Sequence, residues 1–211
     1  MRVFQDVYTG GNARGLNLSC SLAAALLAFF FSGFAVVGQS QTAPPVAVVK
    51  NFGQVNEHYY RGSQPGAAEF ERLKRLGIKT VIDLRKDRLK EAQGWAQAQG
   101  LRYFNIPLTT KKPATAEQTE YFLRLVNDPA NWPVFVHCKG GRHRTGQMTA
   151  IYRITHDDWT AARAYEEMKR YDFEDSFFYP RVLKRHVFSF YEQFVANKAA
   201  AGQAPAGGSL R

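Results

Sequence analysis

Two rhythms of apolar residues take turns along this chain. Short runs dense in Val, Ile, Leu and aromatic residues read as strands: Tyr59 to Gly62, Ile78 to Leu84, Leu101 to Ile106 and Val134 to Val136. Val46 to Lys50 reads as a further, opening strand. Between them the apolar positions recur at helical spacing. Ala67 to Leu76 puts Phe70, Leu73 and Leu76 on one face and stops at Gly77. Asp87 to Gln99 is a second helix, closed by Gly100. Thr115 is an N-cap, and Gln118 three residues on completes a capping box for a helix to about Val126. Further helices are expected from Thr145 to Arg153, from Asp157 or Asp158 to Lys169, and from Val182 to about Asn197. Strands alternating with helices predict an α/β layer fold.

The chain ends read differently. Residues 1–38 pair a weakly basic start, Arg2 and Arg14, with an almost wholly apolar run from Leu18 to Val37. That is the pattern of a signal peptide. About 20 apolar residues also suffice to span a bilayer, so a retained membrane anchor is the other reading. Either would make the protein exported: periplasmic, secreted, or anchored in the inner membrane with its domain outside the cytoplasm. Residues 39–45 read as a linker, 46–197 as one domain, and 198–211, rich in Ala, Gly and Pro, as a disordered tail. The formal charge of +10 suits anionic partners: nucleic acid, an anionic membrane surface, or a polyphosphorylated small molecule. No nucleic-acid motif is present, and a monomer is expected. Removing the leader would leave Cys138 as the one cysteine, so no internal disulfide could form.

Chemistry concentrates around that cysteine. His137-Cys138-Lys139-Gly140-Gly141-Arg142-His143-Arg144-Thr145-Gly146 follows an apolar strand and leads into a helix. A strand, a glycine-bearing turn and a helix N-terminus make an anion cradle from backbone N–H groups. Oriented amides and nearby cations favour the nucleophilic thiolate over the thiol. Cys138 is thus the candidate nucleophile for attack on phosphorus. Arg144 can hold two phosphoryl oxygens through its planar fork. The amides of residues 139–144 would take the others, and Gly140 and Gly141 permit the turns this needs. Thr145 can donate its hydroxyl to the departing sulfur. His137 orders the loop from behind. Zinc has little support, because no second pair of ligands has the spacing of a metal site.

These residues resemble the cysteine-dependent protein tyrosine and dual-specificity phosphatase superfamily. The likeness extends to Tyr60-Arg61-Gly62-Ser63-Gln64-Pro65 and to Gly77-Ile78-Lys79-Thr80-Val81-Ile82-Asp83-Leu84-Arg85, and covers about residues 55–170. The loop is similar to that of the small atypical plant and fungal group that includes inositol pyrophosphate phosphatases. It is also similar to the loop of the tumour-suppressor phosphoinositide phosphatase. The resemblance implies a three-layer, tyrosine-phosphatase-like sandwich with a mostly parallel sheet between helices. It implies hydrolysis of phosphomonoesters or phosphoanhydrides through a cysteinyl phosphate, with neither metal nor cofactor. Arg61 and Asp83 then read as supporting residues.

The substrate expectation comes from charge. Lys139, Arg142 and His143 add potential positive charge beside Arg144, more than one phosphotyrosine needs. A phosphoinositide, inositol phosphate or inositol pyrophosphate is favoured over a phosphoprotein, with a non-catalytic phosphate-binding relative as the alternative of another class. One departure stands out. The family's proton-donating aspartate should lie in Pro107 to Pro113, which holds no carboxylate. Asp172 and Asp175 are the first candidates in its place, ahead of Asp83 and Asp87. A phosphate leaving from an anhydride would need less of such help.

Overall fold

The computed structural model describes residues 48–174 and 181–203. Five strands form one sheet: β1 (Gly53–Asn56), β2 (Tyr59–Ser63), β3 (Thr80–Arg85), β4 (Arg102–Leu108) and β5 (Val134–Cys138). Their order is β1-β2-β5-β3-β4. β1 pairs antiparallel with β2, and the other pairings are parallel. The helices are α1 (Ala67–Arg75), α2 (Ala92–Ala98), α3 (Ala116–Asn127), α4 (His143–His156), α5 (Ala161–Arg170) and α6 (Arg181–Gln203). This is the α/β layer fold that the alternating pattern predicts, with the mostly parallel sheet that the resemblance implies.

The strand sequences explain the layers. Parallel strands covered on both faces read as continuous apolar runs rather than alternating ones. β5 is buried at every position, and its side chains divide between the faces. Val134, Val136 and Cys138 join Ile82 and Leu84 against Phe122 of α3 and Met148 and Ile151 of α4. On the other face Phe135 joins Val81, packed by Phe70 and Leu73 of α1 and Ala92 and Ala96 of α2. A third cluster locks α4 to α5 and α6 through Ala150, Ile154, Ala164, Met168, Leu183 and Val187. Arg153 of α4 adds a salt bridge to Glu167 of α5 at 2.8 Å. The helix that starts at the cysteine loop is therefore core on all sides.

The capping box forms as read. Thr115 Oγ1 accepts from the Gln118 amide at 3.2 Å, and Gln118 Oε1 accepts from the Thr115 amide at 3.0 Å. Gln118 also donates through Nε2 to the Pro107 carbonyl at 3.2 Å, which ties α3 to the end of β4.

Some elements differ from the sequence expectation. Residues 48–50 form no strand. A left-handed Asn51 (φ 54°) turns the chain, and the edge strand starts at Gly53. α2 begins at Ala92, not Asp87. Residues 86–91 are turns at 86–87 and 90–91 with irregular chain between, and the Lys86 amide donates to the Leu108 carbonyl at 3.2 Å while Arg85 bonds the Asp87 carbonyl. α6 continues past Asn197 to Gln203.

The membrane-anchored, exported placement is corrected. Among the described residues no helix is long and apolar enough to cross a membrane. The longest, α6, carries Arg181, Lys184, Arg185, His186 and Lys198. The run 18–37 behind the signal and anchor readings lies outside the described residues, as do residues 39–45 and 204–211.

Phe135 is fully buried at the centre of the sheet. Phe135→Ala is expected to cost about 3–5 kcal/mol, through lost transfer energy and the cavity left behind. Thr115→Ala should cost about 1 kcal/mol, the worth of one cap. Urea unfolding of both variants checks the order. A Phe135→Ala loss no larger than that of Thr115→Ala would contradict the core as described.

Candidate functional site

β5 delivers Cys138 at its carboxyl end, and α4 begins at His143. The segment between them is held by its carbonyls. The Lys139 carbonyl accepts from the Gln64 amide at 3.3 Å. The Gly140 carbonyl accepts from Asn51 Nδ2 at 2.8 Å. The Gly141 carbonyl accepts from Arg61 Nη2, also at 2.8 Å. Peptide planarity sets each following N–H opposite its carbonyl. The amides of Gly140, Gly141 and Arg142 are therefore turned the other way, and none donates a hydrogen bond within the described residues. Backbone N–H groups turned this way beside a cysteine and a helix N-terminus are of the kind that binds an anion.

Gly141 is required twice over. Its φ is +68°, and a Cβ there would lie 2.5 Å from the Gly62 carbonyl carbon. The loop thus rests directly on the backbone at the end of β2. Behind it lies Arg61, fully buried, with its guanidinium stacked 3.9 Å from the centre of the Tyr171 ring. Burial pushes the Arg61 pKa down, while negative charge on Tyr59, Glu167, Tyr171 and Cys138 works against that shift.

Asp83 and His137 are paired by register across β3 and β5. Both are fully buried on the face opposite Cys138, with His137 Nδ1 3.9 Å from Asp83 Oδ1. Asp83 accepts from the Arg85 amide at 2.9 Å and from the Tyr103 hydroxyl at 2.7 Å. Burial lowers the His137 pKa more than Asp83 raises it, so the ring is neutral. Thr145 is fully buried, and its hydroxyl has no hydrogen-bond partner among the described residues.

The basic side chains of the loop are not equivalent. Lys139 is exposed. Arg142 reaches Glu174 at 3.5 Å. His143 is buried edge-on against Phe173. Desolvation, then Arg142, lowers its pKa, so it adds no positive charge near neutral pH. Arg144 donates through Nη1 to Asp87 Oδ1 at 3.0 Å and to the Leu108 carbonyl at 3.3 Å. The hydrogen bond from Arg144 holds the Asp87 carboxyl well below the usual range, at about 2. Arg144 and Asp87 share an open cleft of about 520 Å³ with Lys86, Leu108, Thr109 and Lys111.

The candidate carboxylates are thereby sorted. Asp172 stands in a left-handed turn after α5 (φ 58°), 3.7 Å from Lys50. Asp175 lies outside the described residues. Asp87 enters the cleft from a turn, because the helix starts only at Ala92. Neither its partnership with Arg144 nor the anchoring roles of Asn51 and Gln64 could be read from spacing. The one available signal was an Asn and a Gln-Pro pair in turn-forming sequence.

The family described as DSP-PTPase phosphatase fused to NAD+ kinase matches residues 29–178. The chain is 32% identical over 162 residues to the dual specificity protein phosphatase TpbA of Pseudomonas aeruginosa (strain UCBPP-PA14), spanning 73% of this chain and 72% of that protein. It is 29% identical over 139 residues to the inositol diphosphatase DSP1 of Oryza sativa subsp. japonica, spanning 64% of this chain and 60% of that protein. The fold is similar to the crystal structure of P. aeruginosa TpbA, with a TM-score of 0.57 and 27% identity over 69% of this chain and 91% of that one.

Two measurements test this geometry. Gly141→Ala is expected to destabilise the protein by about 1–3 kcal/mol through its strained φ and the Gly62 contact. Wild-type stability in urea would mean that the contact is not made. Carboxylate NMR should place the Asp87 midpoint near pH 2, returning toward about 3.9 in Arg144→Ala. The folded value is depressed, so any stability from the pair is complete above the unfolded value and lost as pH falls toward 2. A midpoint that Arg144→Ala leaves in place would rule out the pair in solution.

Proposed function

The chain belongs to the DSP-PTPase phosphatase family, and we propose from that premise that its cysteine loop hydrolyses the phosphoryl bonds of small polyanions. Cys138 is the nucleophile. Its thiolate attacks phosphorus in line with the leaving oxygen and becomes a cysteinyl phosphate, which water then hydrolyses. Arg144 exchanges its contact with Asp87 for two phosphoryl oxygens, a geometry that its planar fork suits. The amides of the loop bind the remaining oxygens. Their carbonyls are anchored beforehand, so little reorganisation is needed as charge develops. The Thr145 hydroxyl stabilises the sulfur when it leaves in the second step.

The observation that carries the substrate class is the cleft beside Arg144. Lys86 and Lys111 line it, outside the loop itself. One phosphoryl group occupies the cradle, and neighbouring phosphates of a ring or chain meet those lysines. Exposed Lys139 adds to the same field. Similarity to an inositol diphosphatase supports this reading. Similarity to a dual specificity protein phosphatase supports the second reading, a phosphoprotein substrate.

Phosphate release from inositol polyphosphates, an inositol pyrophosphate, phosphoinositides and a phosphotyrosine peptide decides between them, with Cys138→Ser as the control. The expected result is Cys138-dependent release, fastest for one polyanion. Lys86→Ala and Lys111→Ala should each raise KM roughly fivefold for that polyanion. That is the effect of removing about 1 kcal/mol of one charge–charge contact in water. The penalty should shrink with added salt. A lead for the phosphotyrosine peptide, with no effect of either lysine, would overturn the polyanion reading and keep the chemistry.

A further inference from the structure

Cleaving a phosphate ester of an alcohol requires a proton on the leaving oxygen, a service worth about 10²–10⁴-fold in rate. The stretch Pro107 to Pro113 holds no carboxylate to provide it. Among the described residues the carboxylates to weigh are Glu167, Asp83, Asp172, Glu174 and Asp87. Glu167 is buried and paired with Arg153 at 2.8 Å. Asp83 is fully buried on the far face of the sheet, with both oxygens engaged. Asp172 faces Lys50, and Glu174 faces Arg142. Asp87 lines the cleft at Arg144 and bonds that guanidinium directly.

The geometry points to Asp87 as the proton donor to the leaving group, a catalytic residue that comes free when the substrate takes over Arg144. This rests on the assignment of Cys138 and Arg144 to the phosphoryl site. Asp87 Oδ1 is 3.0 Å from Arg144 Nη1. A phosphoryl oxygen on the same guanidinium would sit about 2.8 Å from it. A displaced Asp87 carboxyl is therefore one side-chain rotation from the bond that breaks. The side chain is 63% exposed and stands on a turn, so rotation meets no packed neighbour.

The charges around Asp87 explain how it changes role. It faces Arg144, Arg85 (Nη2 to Oδ2, 3.4 Å) and the cleft lysines Lys86 and Lys111, with Arg88 next along the chain. In the free protein this company keeps it ionised, and an ionised carboxylate donates no proton. A bound phosphate takes the guanidinium away and sets negative charge against the carboxyl, which raises its proton affinity. The proton arrives with the substrate, because a phosphomonoester keeps its second proton up to about pH 6. In the first step the Cys138 thiolate forms the S–P bond and the P–O bond breaks. Its electron pair goes to the leaving oxygen, which takes the proton from Asp87. In the second step water attacks phosphorus, gives a proton to the Asp87 carboxylate, and the S–P bond breaks to regenerate the thiolate and inorganic phosphate. When phosphate leaves, Arg144 returns to Asp87, which releases that proton to solvent and is ionised again.

Asp87→Asn, with Asp87→Glu beside it, tests this on phosphates of graded leaving-group acidity: nitrophenyl, phenyl and alkyl. The expected loss in kcat for Asp87→Asn is about 10²–10⁴-fold for phenyl and alkyl phosphate and less than about tenfold for nitrophenyl phosphate. Asp87→Glu should recover part of the loss, and the basic limb of the kcat profile should vanish in Asp87→Asn. A uniform loss across all leaving groups would overturn the proposal and reduce Asp87 to a positioning partner of Arg144. No loss would overturn it outright. Wild-type release from nitrophenyl phosphate that Cys138→Ser abolishes separates these outcomes from failure of the phosphatase site itself, in which case no substrate would turn over.

Discussion

The contact of two backbones, Gly141 against Gly62, is the constraint on which the rest depends. The distances leave no room for a Cβ on Gly141, and its positive φ excludes one on separate grounds. Because the backbones meet, the Arg61 guanidinium behind them reaches the Gly141 carbonyl, and the Gln64 amide just past β2 reaches the Lys139 carbonyl. Once the carbonyls are held outward, the amides have one direction left. The direction of these amides follows from hydrogen bonds made entirely on the outer side of the loop.

Rigidity is supplied by packing on the other flank. α4 is buried along nearly its whole length and clamped by α3, α5 and α6. Such a helix cannot shift without disturbing a close-packed interior. Arg144 and Thr145, in its first turn, are placed by the same core that gives the domain its stability. The exposed parts of the site lie opposite, on the turn 86–91 and the segment 107–113. Buried groups on α4 thus face exposed ones across the cleft.

The electrostatics divide along the same line. Arg61 is a permanent buried cation, enclosed by an aromatic ring and a carbonyl. Arg144 is buried and Arg142 half-buried, and their carboxylate partners, Asp87 and Glu174, reach into solvent. A carboxylate in solvent is weakly held and can be exchanged for another anion. His143 and His137 stay neutral because burial outweighs their neighbours. The working positive charge therefore comes from arginine and lysine, not from histidine.

Much of this was legible in the chain. The strands Tyr59, Ile78, Leu101 and Val134 begin, the α/β order, the Thr115 cap and the Cys138 to Gly146 loop all rest on local physics: periodicity, capping chemistry and glycine conformations. What sequence could not decide was which distant groups meet. Asp87 read as the start of a helix, and its capture into the cleft depends on the Lys86 amide finding the end of β4, some twenty residues away. Asn51 falls in no element that the pattern predicts, yet it holds the Gly140 carbonyl. The extra charge expected of His143 was lost to burial against Phe173, which follows α5 in the chain. Sequence determined the elements and the reactive loop, because those depend on neighbours along the chain. Tertiary structure decided the partners of each charge, because desolvation and pairing depend on groups brought close only by folding.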